Sequence, residues 1–454
     1  MPMKDYDLVI VGGGPAGYVP AIRAAQMGKR VAVLEEEQVG GVCLNRGCIP
    51  TKTLVTSVEL LRAARNARKF GLRGELTFSW DRLHRRKEMV VSRLRKGVEA
   101  HMKHLGIDTI HEHGELAGPG EVRAGGSIIT AGRILLSPGS EPLRPGPFAA
   151  AGVETSRDVL SWETLPDSLL IVGGGVIGCE FASIFSGLGV QVTVVEMLPS
   201  ILPGVDTDVK LVVEKSLKRS GVKLHTGSGA ADVEFTGGSV AVTLENGTRL
   251  AAGKLLVSVG RRARTGGLGL DAAGVRYTPA GITTDENQMT NLDGVYAAGD
   301  VTGKWQLAHA ASAQALAAVD HMFGSGHRKV DPDSMPGCIF TSPEIATVGP
   351  GQDEWEERGV PVTAGVSRYI ANGKAVGMNE TEGFVKIVAR KSDGVVVGVQ
   401  IVGAQASSMA GQAVMAVNMG VKASEIGEMV HPHPTLSELF MEAGEAFGAG
   451  PIHG

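Results

Sequence analysis

Four cysteines in 454 residues are too few for a secreted disulfide scaffold. No apolar run approaches the roughly 18 to 20 residues that span a bilayer, so no membrane segment is expected. Neither sign of charge dominates: 44 Lys and Arg stand against 48 Asp and Glu, a formal net charge of −4, and nothing electrostatic argues for a nucleic-acid partner. The opening MPMKDYDLVIVGGG enters a strand pattern after six residues. That leaves no room for a signal or transit segment and predicts a cytoplasmic chain. A metal centre is also poorly provided for. Zinc wants about four ligands, Cys179 and Cys338 are isolated, and no second close cysteine pair exists, so no metal is expected.

What is plentiful is glycine, 64 residues, about double the average usage of roughly 7%. The glycines fall in turns between apolar runs, as an α/β chain with many tight connections requires. Hydrophobic content of 43% with 20% charged residues fits ordinary globular domains, and the length suggests about three of them.

The stretch YDLVIVGGGPAGYVPAIRAAQMGKRVAVLEEE reads as strand, glycine turn, helix, strand. Gly12, Gly14 and Gly17 form G-x-G-x-x-G, and Glu35 ends the second strand, 18 residues beyond Gly17. Glycines let the backbone approach a pyrophosphate, the helix start supplies N–H groups, and the acid grips ribose hydroxyls. Pro20 inside the helix is expected to remove a bond to Ala16 and bend the first turns. The pattern recurs in SLLIVGGGVIGCEFASIFSGLGVQVTVVEM, with Gly173, Gly175, Gly178 and Glu196. Two complete fingerprints imply two dinucleotides. A carboxylate at position 196, with no basic residue before Lys210, repels a 2′-phosphate and predicts NAD over NADP.

Between the fingerprints lies GGVCLNRGCIPTK, with Cys43 and Cys48 five positions apart. A regular helix would hold them about 7.5 Å apart along its axis, beyond the roughly 7 Å limit for a disulfide. The segment must therefore turn or distort, and Gly47 permits it. Pro50 suits the first turn of a helix running on through residue 71. Cys48 then sits at a helix N-terminus, where the dipole favours thiolate, with Lys52 projecting from the same face. A thiolate beside a cation is what a redox centre needs. At the far end, in HPHPTLSELF, His431 and His433 alternate with prolines, and Glu438 follows His433 by five residues. A carboxylate can fix the tautomer of His433 and raise its basicity, making it a candidate general base for thiol chemistry.

Two such fingerprints flanking GGVCLNRGCIPTK, followed by YAAGD and HPHPTLSE, resemble the flavin-dependent pyridine-nucleotide disulfide oxidoreductases. FTSPEIATVG, GFVKIVA and the tail GPIH extend the similarity nearly end to end, and CIPTK with Glu196 favours the lipoamide branch. The resemblance implies that Gly12, Gly14, Gly17, Glu35, Gly114, Asp300 and Ala308 bind FAD, with Lys52 near the flavin and paired to Glu180. It implies that Gly173, Gly175, Gly178, Glu196 and Gly260 bind NAD. Cys43 would face substrate, Cys48 would face the flavin, and His433, steadied by Glu438, would deprotonate the substrate dithiol. It further implies a homodimer, with that histidine serving the partner subunit. The electron donor would be a lipoyl group on a carrier domain of a 2-oxoacid dehydrogenase complex or of glycine cleavage. The chain departs from the family pattern at Pro20, Ser137, Pro138, Cys179, Ala263, Ala310 and Gln314.

The expected architecture is α/β, with two Rossmann-like dinucleotide-binding domains and a C-terminal α+β dimerisation domain. The boundaries expected are 1–148 with 272–332 for FAD, 149–271 for NAD, and 333–454 for dimerisation. The last contains two antiparallel strands turning at Asp393-Gly394. The rival readings are a related NAD(P)H-dependent reductase of another disulfide, and a non-catalytic scaffold that kept the fold.

Overall fold

The run YDLVIV buries its last four residues completely or nearly so, and VAVL buries all of its own, as parallel strands covered on both faces require. In the computed structural model, which describes residues 5–149, 152–324, 326 and 328–453, they become β1 (Tyr6–Val11) and β2 (Val31–Leu34). The connecting helix is α1 (Pro15–Gln26), which begins with proline, where no N–H is needed, and continues past a buried Pro20. The strands pair in parallel, Val9 opposite Ala32. Asp108–Ile110 extends the sheet beyond β2, and Ser127–Leu136 followed by Val295–Ala297 extends it beyond β1, all in parallel. After β2 the chain makes α2 (Gly41–Arg46) and α3 (Cys48–Arg65), separated by Gly47. α3 ends earlier than its sequence pattern suggests: a 3₁₀ turn covers Ala67–Phe70.

Two compact units emerge. The first comprises Met1–Arg144, Glu154–Leu165 and Val259–Val330; the second comprises Pro145–Val153, Pro166–Ser258 and Asp331–Gly454. The second unit repeats the parallel design in β3 (Ser168–Val172), α4 (Val176–Gly187) and β4 (Gln191–Glu196), flanked by Lys223–Thr226 and Lys254–Val257.

The same unit carries an antiparallel five-stranded sheet. Its order is Pro336–Ile339, Glu344–Val348, Val396–Gly403, then β6 (Phe384–Arg390), then β5 (Val362–Arg368). The turn between β6 and Val396–Gly403 falls at Asp393-Gly394, where Gly394 has φ 73°. Helices α5 (Ala423–Glu428) and α6 (Glu438–Glu445) pack here, with Leu439, Phe440 and Ala443 in the same core as Val385, Ile387 and Ile401. Buried Lys386 on β6 bonds Asp206 at 2.6 Å and Asp208 at 2.7 Å, joining this sheet to the start of the helix Thr207–Arg219. Losing one partner of so buried a pair costs about 3–5 kcal/mol. Among the described residues no helix is long and apolar enough to cross a membrane.

Candidate functional site

The first dinucleotide turn is built so tightly that no side chain larger than hydrogen fits. Gly12 has φ 102°, and a Cβ there would lie 2.3 Å from the Ser137 carbonyl oxygen. A Cβ at Gly17 would lie 1.9 Å from the Gly12 carbonyl oxygen. Ser137 is buried, and its hydroxyl donates to the carbonyls of Val11 and Gly12, both at 3.1 Å. No side chain caps α1 at Gly14, so the helix start stays available to an anion. Glu35 accepts N–H bonds from Gly13 (2.8 Å) and Glu37 (2.9 Å). Beside it a small cleft of about 40 Å³ is lined by Gly12, Glu35, His113, Gly114, Pro138 and Arg264.

Elsewhere in this unit, Asp300 accepts from the Ser140 hydroxyl. Burial pushes its carboxyl up, while the bond from Ser140 and the charge of Arg261 pull it down. Arg261 donates to both the hydroxyl and the carbonyl of Ser140, at 2.8 and 2.7 Å. Gly260 precedes it at φ 119°, its carbonyl taking the Leu143 N–H at 3.0 Å. Ala308 opens the helix Ala308–Phe323. Within that helix Gln314 is fully buried, its Oε1 accepting the Gly299 N–H at 2.7 Å and its Nε2 without a protein partner.

The cysteine pair sits directly on this turn. The Gly40 N–H donates to the Gly13 carbonyl at 2.8 Å, and a Cβ at Gly41 would stand 2.7 Å from Gly14 Cα. Asn45 secures the segment, its Nδ2 donating to the carbonyls of Val39 (3.1 Å) and Gly41 (3.0 Å). Gly47, at φ −143° and ψ −108°, breaks the helix between Cys43 on α2 and Cys48, the first residue of α3. That is the distortion the spacing demanded. Both residues are half-buried thiols. The hydrogen bond linking Cys43 to Cys48, together with burial, pushes the Cys43 thiol far up, while the Lys52 charge opposes.

Two further groups bear on the pair and were not legible in the sequence. Half-buried Tyr18 has its phenol raised by burial and then by the Cys43 charge. Burial lowers the Arg261 guanidinium, and the charges of Asp300, Glu141 and Cys48 hold it up. Their relation to the dithiol is purely tertiary: Arg261 lies more than two hundred positions away in the chain.

The second unit holds the other turn. Gly173 has φ 108°, a Cβ there would lie 2.4 Å from the Ser258 carbonyl oxygen, and one at Gly178 would lie 1.9 Å from the Gly173 carbonyl oxygen. Glu196 accepts from Gly174 (2.7 Å) and Leu198 (2.8 Å). Around Gly175 there is open space. Buried Glu180 accepts the Phe340 N–H at 3.0 Å. Its neighbour Cys179 gives its thiol to the Gly174 carbonyl (3.2 Å), and burial, then Glu196 and Glu180, raise it strongly.

In the same unit His433 Nδ1 lies 2.8 Å from Glu438 Oε1, and the Thr435 N–H donates to Glu438 Oε2 at 2.8 Å. Burial works to raise Glu438, but the bonds from Thr435 and His433 prevail and hold it below the usual carboxylate range. The imidazole is exposed, 78%, and its anchoring carboxylate is covered, 18%. His431 instead bonds the nearby Met429 carbonyl at 2.9 Å.

The family pattern described as pyridine nucleotide-disulphide oxidoreductase matches residues 6–315, and its dimerisation-domain pattern matches residues 335–444. A dihydrolipoyl dehydrogenase of Bacillus subtilis is 37% identical, covering 99% of both chains. The crystal structure of LpdA from Mycobacterium tuberculosis superposes with a TM-score of 0.91 at 32% identity, over 97% of this chain and 99% of that one. The HOCl-induced flavoprotein disulfide reductase RclA from Escherichia coli superposes with a TM-score of 0.87 at 28% identity, over 97% and 99%.

Proposed function

Because the chain belongs to the pyridine nucleotide-disulphide oxidoreductases, as a flavoprotein of the dihydrolipoyl dehydrogenase type that uses FAD and NAD, we propose that Cys43, Cys48, Lys52, Glu180, His433 and Glu438 do its chemistry on a protein-borne dihydrolipoyl group. The observation that carries this assignment is the seating of the dithiol segment on the first dinucleotide turn through Gly40 and Gly41.

The first turn fits FAD. Its cradle is one that a Cβ at Gly12 or Gly17 would fill, and it has an acid and a cleft beside it. Gly12, Gly14, Gly17, Glu35, Gly114, Asp300 and Ala308 would hold the group. Gly173, Gly175, Gly178 and Glu196 would hold NAD, joined by Gly260, and the Glu196 carboxylate would repel a 2′-phosphate.

His433 donates through Nδ1 to Glu438, which leaves Nε2 to take a proton from a substrate thiol. The resulting thiolate attacks Cys43 Sγ of the oxidised pair. The Cys43–Cys48 bond breaks and Cys48 leaves as thiolate, a form the α3 N-terminus favours. His433 gives its first proton to the departing Cys43 sulfur and takes that of the second substrate thiol, which attacks the substrate sulfur of the mixed disulfide and expels Cys43 as thiol. Two electrons and two protons leave the substrate, which departs as a disulfide; the pair is left reduced, Cys43 as thiol and Cys48 as thiolate, with the second proton on His433. Burial and the bond to Cys48 keep the proton on Cys43. FAD, when bound, supplies the two-electron acceptance and hydride transfer that thiols cannot perform toward NAD⁺.

The chain would work as a cytoplasmic homodimer, each subunit offering His433 to the other's dithiol, with a lipoyl carrier domain as substrate. The test is steady-state oxidation of dihydrolipoamide with NAD⁺ and NADP⁺ side by side, in the parent and in Cys43→Ser. NAD⁺ should be strongly preferred, and Cys43→Ser should lose turnover while retaining bound flavin. NADPH-driven reduction of other disulfides with no dihydrolipoamide turnover would favour the rival reading, a reductase of another disulfide.

A further inference from the structure

The tail folds back onto the helix that carries Glu438. His453 Nδ1 lies 2.6 Å from Glu442 Oε1, and the N–H groups of Ile452 and His453 donate to Glu442 Oε2 at 2.8 and 3.2 Å. Glu442 is buried, 7% exposed. It stands four residues after Glu438, one turn along the same face. Two histidine–carboxylate pairs therefore ride on the single helix α6.

This helix is rigidly seated. A Cβ at Gly444 would lie 2.5 Å from the Gly427 nitrogen on α5, and Leu439, Phe440 and Ala443 are buried. The bond to Glu442, then its charge, raises His453, and the charge of Glu438 adds to this. The elements packed against α6 carry Glu425 and Glu428 on α5, Arg368 on β5, and Lys386 and Arg390 on β6. Of these, Glu425 takes the Lys422 N–H, Lys386 is paired to Asp206 and Asp208, and Arg390 to Asp393. The carboxylates whose fields reach His453 are Glu442 and Glu438.

We propose that Glu442 and His453 form a clasp that sets how Glu438 presents itself to His433, with the positive charge of His453 moderating the basicity of that imidazole. His453 is then a positioning residue for proton abstraction. The proposal rests on His433 being the base. The charge of His453 reaches Glu438, whose carboxylate accepts from His433, and so opposes the negative surroundings of that pair. Without it, His433 holds its proton to higher pH, and the acid limb of the pH profile moves up.

The experiment uses the holoenzyme and measures kcat/KM for dihydrolipoamide against pH, with thermal unfolding alongside. His453→Gln keeps a side-chain N–H for Glu442 but no charge; His453→Ala removes both. In both variants the acid limb should rise by about half a pH unit, roughly threefold in kcat/KM on that limb. His453→Gln should unfold at the parental temperature. A His453→Gln profile that overlays the parent overturns the proposal. So does a His453→Ala variant that loses activity equally at every pH with its limb unmoved, since the tail then only packs. Failure of the underlying reading is separately visible: His433→Gln would keep parental kcat/KM.

Discussion

The two dinucleotide turns match almost atom for atom in their framework and differ in what comes to rest against them. Gly12 and Gly173 have φ 102° and 108°. In each, the glycine N–H donates at 2.8 Å to a carbonyl near the end of the second strand, that of Leu34 on β2 or of Val195 on β4. Ser137 and Ser258 each follow directly on the neighbouring strand and turn a hydroxyl onto the glycine carbonyl at 3.1 Å. The middle carbonyl of each turn, Gly13 or Gly174, is taken at 2.8 Å by a segment beyond the second strand.

That segment is where the copies part. At the second turn it is Leu202, fully buried with Ile201 beside it, and the helix start at Gly175 faces open space. At the first turn it is Gly40, and Gly41 brings α2 and its cysteine down on Gly14. One turn is covered by the cysteine-bearing segment, which fits the proposed resident flavin. The other stays open, which fits the proposed exchanging nucleotide.

Substitutions can break this contrast. The largest effect is expected at the closed turn: Gly41→Val places a branched side chain at φ 58° against Gly14 Cα. It should cost about 2–4 kcal/mol and release flavin together with dithiol activity, measured by flavin content after gel filtration. Gly175→Ala at the open turn should leave flavin content and unfolding temperature unchanged while raising KM for NAD⁺ about tenfold. Flavin loss there would mean the turns are not separately assigned. Next, Glu196→Gln removes the charge facing a 2′-phosphate and should narrow the NAD⁺ over NADP⁺ preference by about tenfold, whereas Glu35→Gln should leave that preference alone. The smallest effect sharpens the symmetry: Ser137→Ala and Ser258→Ala should each cost about 1 kcal/mol in urea unfolding, because each loses the same pair of bonds.

Much of this was readable in the residues because the chemistry is local. Glycine turn, terminal acid, the Cys43–Cys48 spacing that forces a break at Gly47, and His433 with Glu438 five residues on are all short-range patterns. What stayed hidden depends on strands meeting in space. Ser137 read as a departure from a family pattern, and only its geometry beside Val11, matched by Ser258, gives it work. Tyr18 lies within the first fingerprint, yet nothing in the sequence places it by Cys43. Arg261 feels the charge of Cys48 although more than two hundred positions separate them. The tail read as a family signature, and its bond to Glu442 depends on a chain reversal that no periodicity announces.

The Gly40–Gly13 bond also couples two parts of the first unit. The Gly13 carbonyl takes its N–H from the chain at residue 40, and Gly41 admits α2 against the turn. The first turn therefore shares a bond with the segment that bears the cysteines, whereas the second is covered by leucine and isoleucine. A substitution that lifts residues 40–41 off the turn would therefore disturb the proposed cofactor cradle and the cysteine segment at once.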